Sequence, residues 1–124
     1  MLLDSDVMVN VLRSHPPAVA RLATVHSTLL GLPGLAEMEL LQGCRNLADQ
    51  QRLENQLQPF PLYWPSLLDC QLAYRDFAAH RLSHGLGLLD ALIGHTAVGR
   101  GEPLATFNVK HYAVIAGLTT VQPY

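Results

Sequence analysis

Met1-Leu2-Leu3-Asp4-Ser5-Asp6-Val7 passes from an apolar run into a helix-forming stretch through a single carboxylate. Three apolar residues at the N-terminus read as a short strand, and Val7 to Arg13 reads as the helix that follows. Comparable short runs recur at Thr28–Leu30, Leu62–Tyr63, Leu104–Thr106 and Thr119–Val121, each separated from the next by helical stretches. Short apolar strands alternating with helices specify a parallel sheet covered on both faces. Ligands bind such sheets beyond the carboxyl ends of the strands. Asp4 follows the first strand and Asn108 follows the Leu104–Thr106 strand, so both belong at that edge.

His15-Pro16-Pro17 breaks the first helix, and Pro17 suits the first turn of a second that runs to about Val25. Gly31-Leu32-Pro33-Gly34 is expected to turn the chain into a helix bearing Glu39, which stops near Gly43. Asn46 caps a further helix through Leu57, and Pro59-Phe60-Pro61 then carries the chain across the protein. Ser66 to Ser83 has apolar residues mostly at helical spacing. Gly85-Leu86-Gly87 separates it from an apolar helix, Leu88 to Val98, stopped at Gly99-Arg100-Gly101. No repeat or linker divides residues 1–124, which are expected to form one domain.

Hydrophobic residues make up 49% of the 124 positions and charged residues only 15%, a balance that excludes disorder and leaves apolar surface to face a partner. The formal charge of −2 argues against a protein that coats nucleic acid along its length. It is compatible with a metal-dependent nuclease, in which bound ions supply positive charge at the scissile phosphate. Cys44 and Cys70 form no CxxC pair, and no apolar run reaches membrane length, so a reduced cytoplasmic setting with buried thiols is expected.

Three acids interrupt apolar surroundings: Asp4 after Leu2-Leu3, Glu39 within Met38-Glu39-Leu40-Leu41, and Asp90 within Leu88-Leu89-Asp90-Ala91-Leu92. An ionised carboxylate in such a setting needs a cation or a proton. Three of them together make an oxygen-rich site suited to Mg²⁺ or Mn²⁺. Asp4 or Ser5 can also cap the helix that follows, and capping is the expected work of Asp6. Glu37 and Glu39 point to nearly opposite sides of one helix, so Glu39 is the ligand and Glu37 a solvated first-turn charge. Gly87, Asp90, Gly94 and Ala97 form a stripe of small residues around one acid, which permits close approach of a helix or of metal and substrate. Asn108 either ligates through its amide oxygen, orients water, or simply caps a helix. His80 and His84 stand one turn apart, at metal-ligand spacing, but no third ligand or base accompanies them.

These pieces together resemble the PIN-domain ribonucleases, especially the small VapC-like toxins. The matching segments are Leu3-Asp4-Ser5-Asp6-Val7, Glu39-Leu40-Leu41-Gln42-Gly43, Gly87-Leu88-Leu89-Asp90-Ala91-Leu92-Ile93 and Thr106-Phe107-Asn108-Val109-Lys110-His111-Tyr112. The resemblance implies a three-layer α/β/α sandwich with a central parallel sheet of about five strands. It implies Mg²⁺- or Mn²⁺-dependent RNA cleavage, a small antitoxin partner and a homodimer. By position it carries the acidic ligand roles to Asp4, Glu39 and Asp90, a fourth role to Asn108, and small hydroxyl positions to Ser5 and Thr106. Members often carry a further acid just before the Asp90 position; here Gly87, Leu88 and Leu89 stand there, which argues against a second ion.

The expected function is therefore endoribonucleolytic hydrolysis by the toxin of a toxin-antitoxin pair, with Lys110 or Arg45 steadying the phosphate. The alternative is a catalytically silent PIN-like module acting through a protein partner. Asp4-Ser5-Asp6 also resembles the DxD pair of haloacid-dehalogenase-type phosphatases, but only three residues precede Asp4 and no acidic pair follows Glu102.

Overall fold

A computed structural model describes residues 1–26 and 29–124. Strand β1 (Leu2–Leu3) lies between two neighbours near the N-terminal third and C-terminal quarter of the chain. It pairs in parallel with β4 (Leu104–Ala105), Leu2 opposite Leu104, and β4 pairs in parallel with β5 (Thr120–Val121). On its other side Leu2 forms a parallel bridge with Gly31, just ahead of β2 (Leu32–Pro33), which pairs in parallel with β3 (Leu62–Tyr63). The Leu3 N–H donates to the Gly31 carbonyl at 2.9 Å, and the Gly31 N–H donates to Met1 at 3.0 Å. A three-strand and a two-strand sheet thus meet at β1, giving the spatial order β3-β2-β1-β4-β5.

Every strand pair is parallel, so every connection must cross over, and helices fill the crossovers. Helices α1 (Ser5–Leu12) and α2 (Pro16–Ala23) link β1 to β2, with Pro16 and Pro17 in the first turn of α2. Helices α3 (Gly34–Gln42) and α4 (Leu47–Leu57) link β2 to β3, and the Asn46 side chain accepts the Asp49 N–H to start α4. Helices α5 (Leu67–His80) and α6 (Leu88–Arg100) link β3 to β4, and the short α7 (Val109–Tyr112) precedes β5. Ser66 and Asp69 close a reciprocal capping box at the start of α5. The architecture is the expected α/β/α sandwich.

Strand residues Leu2, Leu3, Leu32, Leu104 and Ala105 are buried, as are Ala91, Ile93 and Ala97 of α6. Helix α6 packs most extensively on α5 and also touches α3 and α7. A buried pair spans the first of these contacts, with His95 Nε2 and Asp76 Oδ2 2.6 Å apart. Gly94 lets α6 sit against the Ile115 side chain, where an added Cβ would collide with Ile115 Cδ1. The small-residue stripe on α6 is thus, at Gly94, a helix-packing feature.

Several boundaries differ from the sequence reading. The strand expected at Thr28–Leu30 begins later, at Leu32; Thr28 lies outside the described residues, and Leu29 donates its N–H to His26 in a turn. Gly31-Leu32-Pro33-Gly34 is not a turn but a bridge residue, a two-residue strand and the first residue of α3. Helix α6 continues past Val98 and Gly99 to Arg100, and Gly101 ends it in the left-handed conformation at φ 66°. Helix α5 stops at His80, short of Ser83.

Candidate active site

The carboxyl ends of β1 and β4 put Asp4 and Thr106 side by side, since the Asp4 N–H donates to the Ala105 carbonyl at 3.0 Å. Asp4 caps α1 by accepting the Ser5 N–H at 2.8 Å through Oδ1. Its other oxygen, Oδ2, accepts from the Thr106 hydroxyl at 2.8 Å and from the Tyr112 hydroxyl at 3.0 Å. Asp4 is only 4% exposed. Burial, and then the neighbouring Asp6 carboxylate, push its carboxyl from the ordinary value up to about 6, against the pull of those hydrogen bonds. Burial and the Asp4 carboxylate likewise raise the Tyr112 hydroxyl, which keeps it a proton-bearing donor.

Asp6, expected to cap a helix, does something else. Its Oδ2 accepts the Phe107 N–H at 3.0 Å and the Thr106 hydroxyl at 3.3 Å, tying α1 to the β4–α7 turn. Its Oδ1 is buried without a hydrogen-bond partner. Burial raises its pKa, with the Asp90 carboxylate adding to the effect. Glu39, on α3, accepts from the Ser5 hydroxyl at 3.3 Å. Burial raises it too, and Asp90 and Asp6 push in the same direction. Asp90 sits in the first turn of α6, next to Gly87, where any side chain would press on its Oδ2.

Asp4, Asp6, Glu39, Asp90 and Asn108 line one open cavity of about 300 Å³ together with Ser5 and Phe107. The structure therefore brings together all four residues singled out from the sequence and adds Asp6. Asn108 starts α7; its N–H donates to Thr106 Oγ1 at 3.0 Å, and its Nδ2 lies 2.9 Å from His111 Nδ1. His111 Nδ1 is also 3.8 Å from Asp90 Oδ2. Glu37 is the first-turn acid of α3 and stands outside the cavity, partly exposed, with its pKa raised by partial burial and then by the Glu54 carboxylate. Lys110 and Arg45 are exposed outside the cavity, and Arg45 is 3.7 Å from Asp49. His80 and His84 meet edge to face, with ring centroids 5.2 Å apart.

The donor set is hard oxygen throughout, the kind Mg²⁺ and Mn²⁺ prefer. Burial raises the Asp4, Asp6 and Glu39 carboxyl pKa values, and the orphaned Asp6 Oδ1 adds an acceptor with nothing to accept. Among the described residues, no three acidic, histidine or cysteine side chains already stand in a metal-coordinating arrangement. The chemistry of the residues present fits a divalent cation.

Tyr112 and the Asp76–His95 pair went unnoticed in the sequence. A tyrosine four residues beyond Asn108, in a helix that starts at the site, was the available signal for the first. The second had none, since its members lie on different helices.

A parallel sheet in this order, with acids gathered at the carboxyl ends of its central strands, defines a class before any relative is consulted. The PIN-domain family model matches residues 1–116, and the chain belongs to that family. Among solved structures it is similar to a toxin-antitoxin complex from Klebsiella pneumoniae, at 28% identity and a TM-score of 0.74, covering 99% of this chain and 97% of that one. DNA-bound VapBC from Salmonella typhimurium shares the fold at 16% identity and a TM-score of 0.80, with 99% and 97% covered. VapBC-1 from nontypeable Haemophilus influenzae does so at 21% and 0.78, with 98% and 96% covered. No curated protein matches the chain. No helix among the described residues is long and apolar enough to cross a membrane.

Proposed function

We propose that the protein is a Mg²⁺- or Mn²⁺-dependent endoribonuclease and the toxin of a toxin-antitoxin pair, acting in the cytoplasm. The observation that carries this reading is the convergence of Asp4, Asp6, Glu39 and Asp90 on one cavity, with Asp4 raised to about 6. Asp4, Glu39 and Asp90 would hold the ion, and Asn108 would complete its shell or orient the attacking water. A divalent ion bound there supplies Lewis acidity toward a phosphate oxygen and activates water near neutral pH. The protein's own part is positional. Thr106 and Tyr112 fix one oxygen of Asp4, Ser5 fixes Glu39, and Asp6 holds the turn that presents Asn108.

Exposed apolar side chains support a protein partner. Tyr74 and Leu88 border a depression between α5 and α6, and Met38, Leu41 and Leu89 border another between α3 and α6. Both fit an antitoxin segment or a second copy of the chain. The deciding experiment is cleavage of single-stranded RNA by wild type and by Asp90→Asn, with EDTA and with Mn²⁺. Mn²⁺-dependent cutting that Asp90→Asn abolishes while the protein stays folded is expected. Cutting by Asp90→Asn at the wild-type rate overturns the assignment. A wild type that forms a stable complex but never cuts RNA is the silent binding module instead.

A further inference from the structure

Asp6 keeps acceptor capacity to spare after tying the β4–α7 turn. Among the described residues, three buried side-chain polar atoms lack a hydrogen-bond partner: Asp6 Oδ1, His80 Nδ1 and His95 Nδ1. Of these, only Asp6 Oδ1 belongs to a residue lining the acidic cavity. Asp6 stands in the first turn of α1, where the helix dipole favours a negative charge but gives no oxygen a particular partner. A carboxylate offers about four lone-pair sites. Asp6 fills one firmly, with the Phe107 N–H at 3.0 Å. The Thr106 hydroxyl has a single proton and lies nearer Asp4, at 2.8 Å against 3.3 Å, so it serves Asp6 the less. The Val7 N–H also favours ionised Asp6, yet its hydrogen bond goes to the Asp4 carbonyl at 3.1 Å.

Asp4, by contrast, receives three donors, from Ser5, Thr106 and Tyr112. The vacant acceptor sites of the cavity therefore lie mostly on Asp6, Glu39 and Asp90. The Asp6 carboxylate repels both Asp4 and Glu39 and is itself repelled by Asp90, so it faces every other acid of the cavity. Among the described residues, no lysine or arginine pairs with any of the four.

Resting on the metal-dependent reading above, we propose that Asp6 is itself a ligand of the divalent cation, binding it through Oδ1 while Oδ2 keeps the Phe107 N–H. Asp6 then joins Asp4, Glu39 and Asp90 around the ion, and the orphaned oxygen gains the partner that the chain withholds. A single carboxylate spans cation and turn, so occupancy of the cavity and the placement of Asn108 are coupled through one side chain of α1.

The test is calorimetric titration of the full chain with Mn²⁺, comparing wild type with Asp6→Asn, Glu39→Gln and Glu37→Gln. Asparagine separates the two roles of Asp6. Its amide oxygen can still accept from Phe107 and Thr106, so the turn stays tied, while the charge and the vacant acceptor are gone. Asp6→Asn is expected to weaken Mn²⁺ binding by about tenfold to a hundredfold, as Glu39→Gln does, with Glu37→Gln unchanged. Thermal unfolding of Asp6→Asn in EDTA should come no lower than that of wild type, because a repelled charge has been removed. A second measurement needs no variant: in carbon NMR of the wild type, the Asp6 carboxyl carbon should shift on Mg²⁺ addition in step with those of Glu39 and Asp90. That of Asp69, outside the cavity, should not move. Asp6→Asn that binds Mn²⁺ like wild type, or an Asp6 carboxyl carbon indifferent to Mg²⁺ while those of Glu39 and Asp90 shift, leaves Asp6 a tether alone and overturns the proposal. Failure of the wider reading looks different: wild type then takes up neither ion, Glu39→Gln changes nothing, and the proposal falls with it.

Discussion

Replacing Asp4 with asparagine should stabilise the metal-free protein above pH 6 and lose that advantage in acid. In the folded protein the carboxyl titrates near 6, against 3.8 for the ordinary group. Between those values the native state binds more protons than the unfolded chain, so stability falls as pH rises through that window. At 1.36 kcal/mol per unit, the ionised form costs about 3 kcal/mol once pH exceeds 6. Asparagine removes that cost. It keeps the Oδ1 that accepts from Ser5, and it turns an amide N–H₂ toward the Thr106 and Tyr112 hydroxyls. Both hydroxyls can rotate to accept instead of donate, Thr106 still donating to Asp6. Imperfect repairs return about 1 kcal/mol of the gain, roughly one net hydrogen bond. A net gain of about 2 kcal/mol corresponds to a melting temperature several degrees higher at pH 7.5 for a chain of this size. Thermal unfolding in EDTA across pH 4 to 8 is the assay, and the difference between the two proteins should shrink steadily below pH 6. Saturating Mn²⁺ should reverse the order at pH 7.5, because a ligand that binds only the folded wild type stabilises it by mass action. A variant less stable at every pH, or a difference that does not vary with pH, would refute the placement of a strained carboxyl at Asp4.

Glu39→Gln should weaken Mn²⁺ binding in calorimetry at least tenfold while Glu37→Gln leaves it nearly unchanged, since only Glu39 faces the cavity; equal losses would mean that α3 is wrongly phased. Gly31→Ala should destabilise by about 1–3 kcal/mol in chemical denaturation, because the new Cβ would strike the Tyr63 ring, which lies beneath the Arg100 guanidinium, and the Leu2 side chain. Light scattering should find a dimer or larger species for the isolated chain, given the exposed Tyr74, Leu88 and Met38; a soluble monomer at high concentration would count against both apolar depressions as self-association surfaces.

Which features could be read from the chain depended on the distance over which their causes act. Asp4, Glu39 and Asp90 each contradict their immediate neighbours, so each was visible in a window of about seven residues. The helices carry local start and stop signals, and Asn46, Ser66 and Gly43 act where expected. Asp6 looked like a cap because its true partner, the Phe107 N–H, is 101 positions away. The second strand was misplaced because Gly31-Leu32-Pro33-Gly34 has turn chemistry. Pairing there relies on the Leu32 and Gly31 N–H groups and never asks for the donor that proline lacks.

The Thr106 hydroxyl donates to Asp4 and accepts from Asn108, so one oxygen atom joins the first strand to the fourth across 102 positions of chain. A chain still being synthesised holds Asp4 long before it holds Thr106, and until β4 docks beside β1 the acid has neither its partner nor its burial. The cluster is thus a property of the nearly finished polypeptide. Incomplete products, or chains nicked ahead of residue 104, carry every acid yet lack the arrangement. The topology itself thus delays assembly of the acidic cavity until β4 has been made and has docked beside β1.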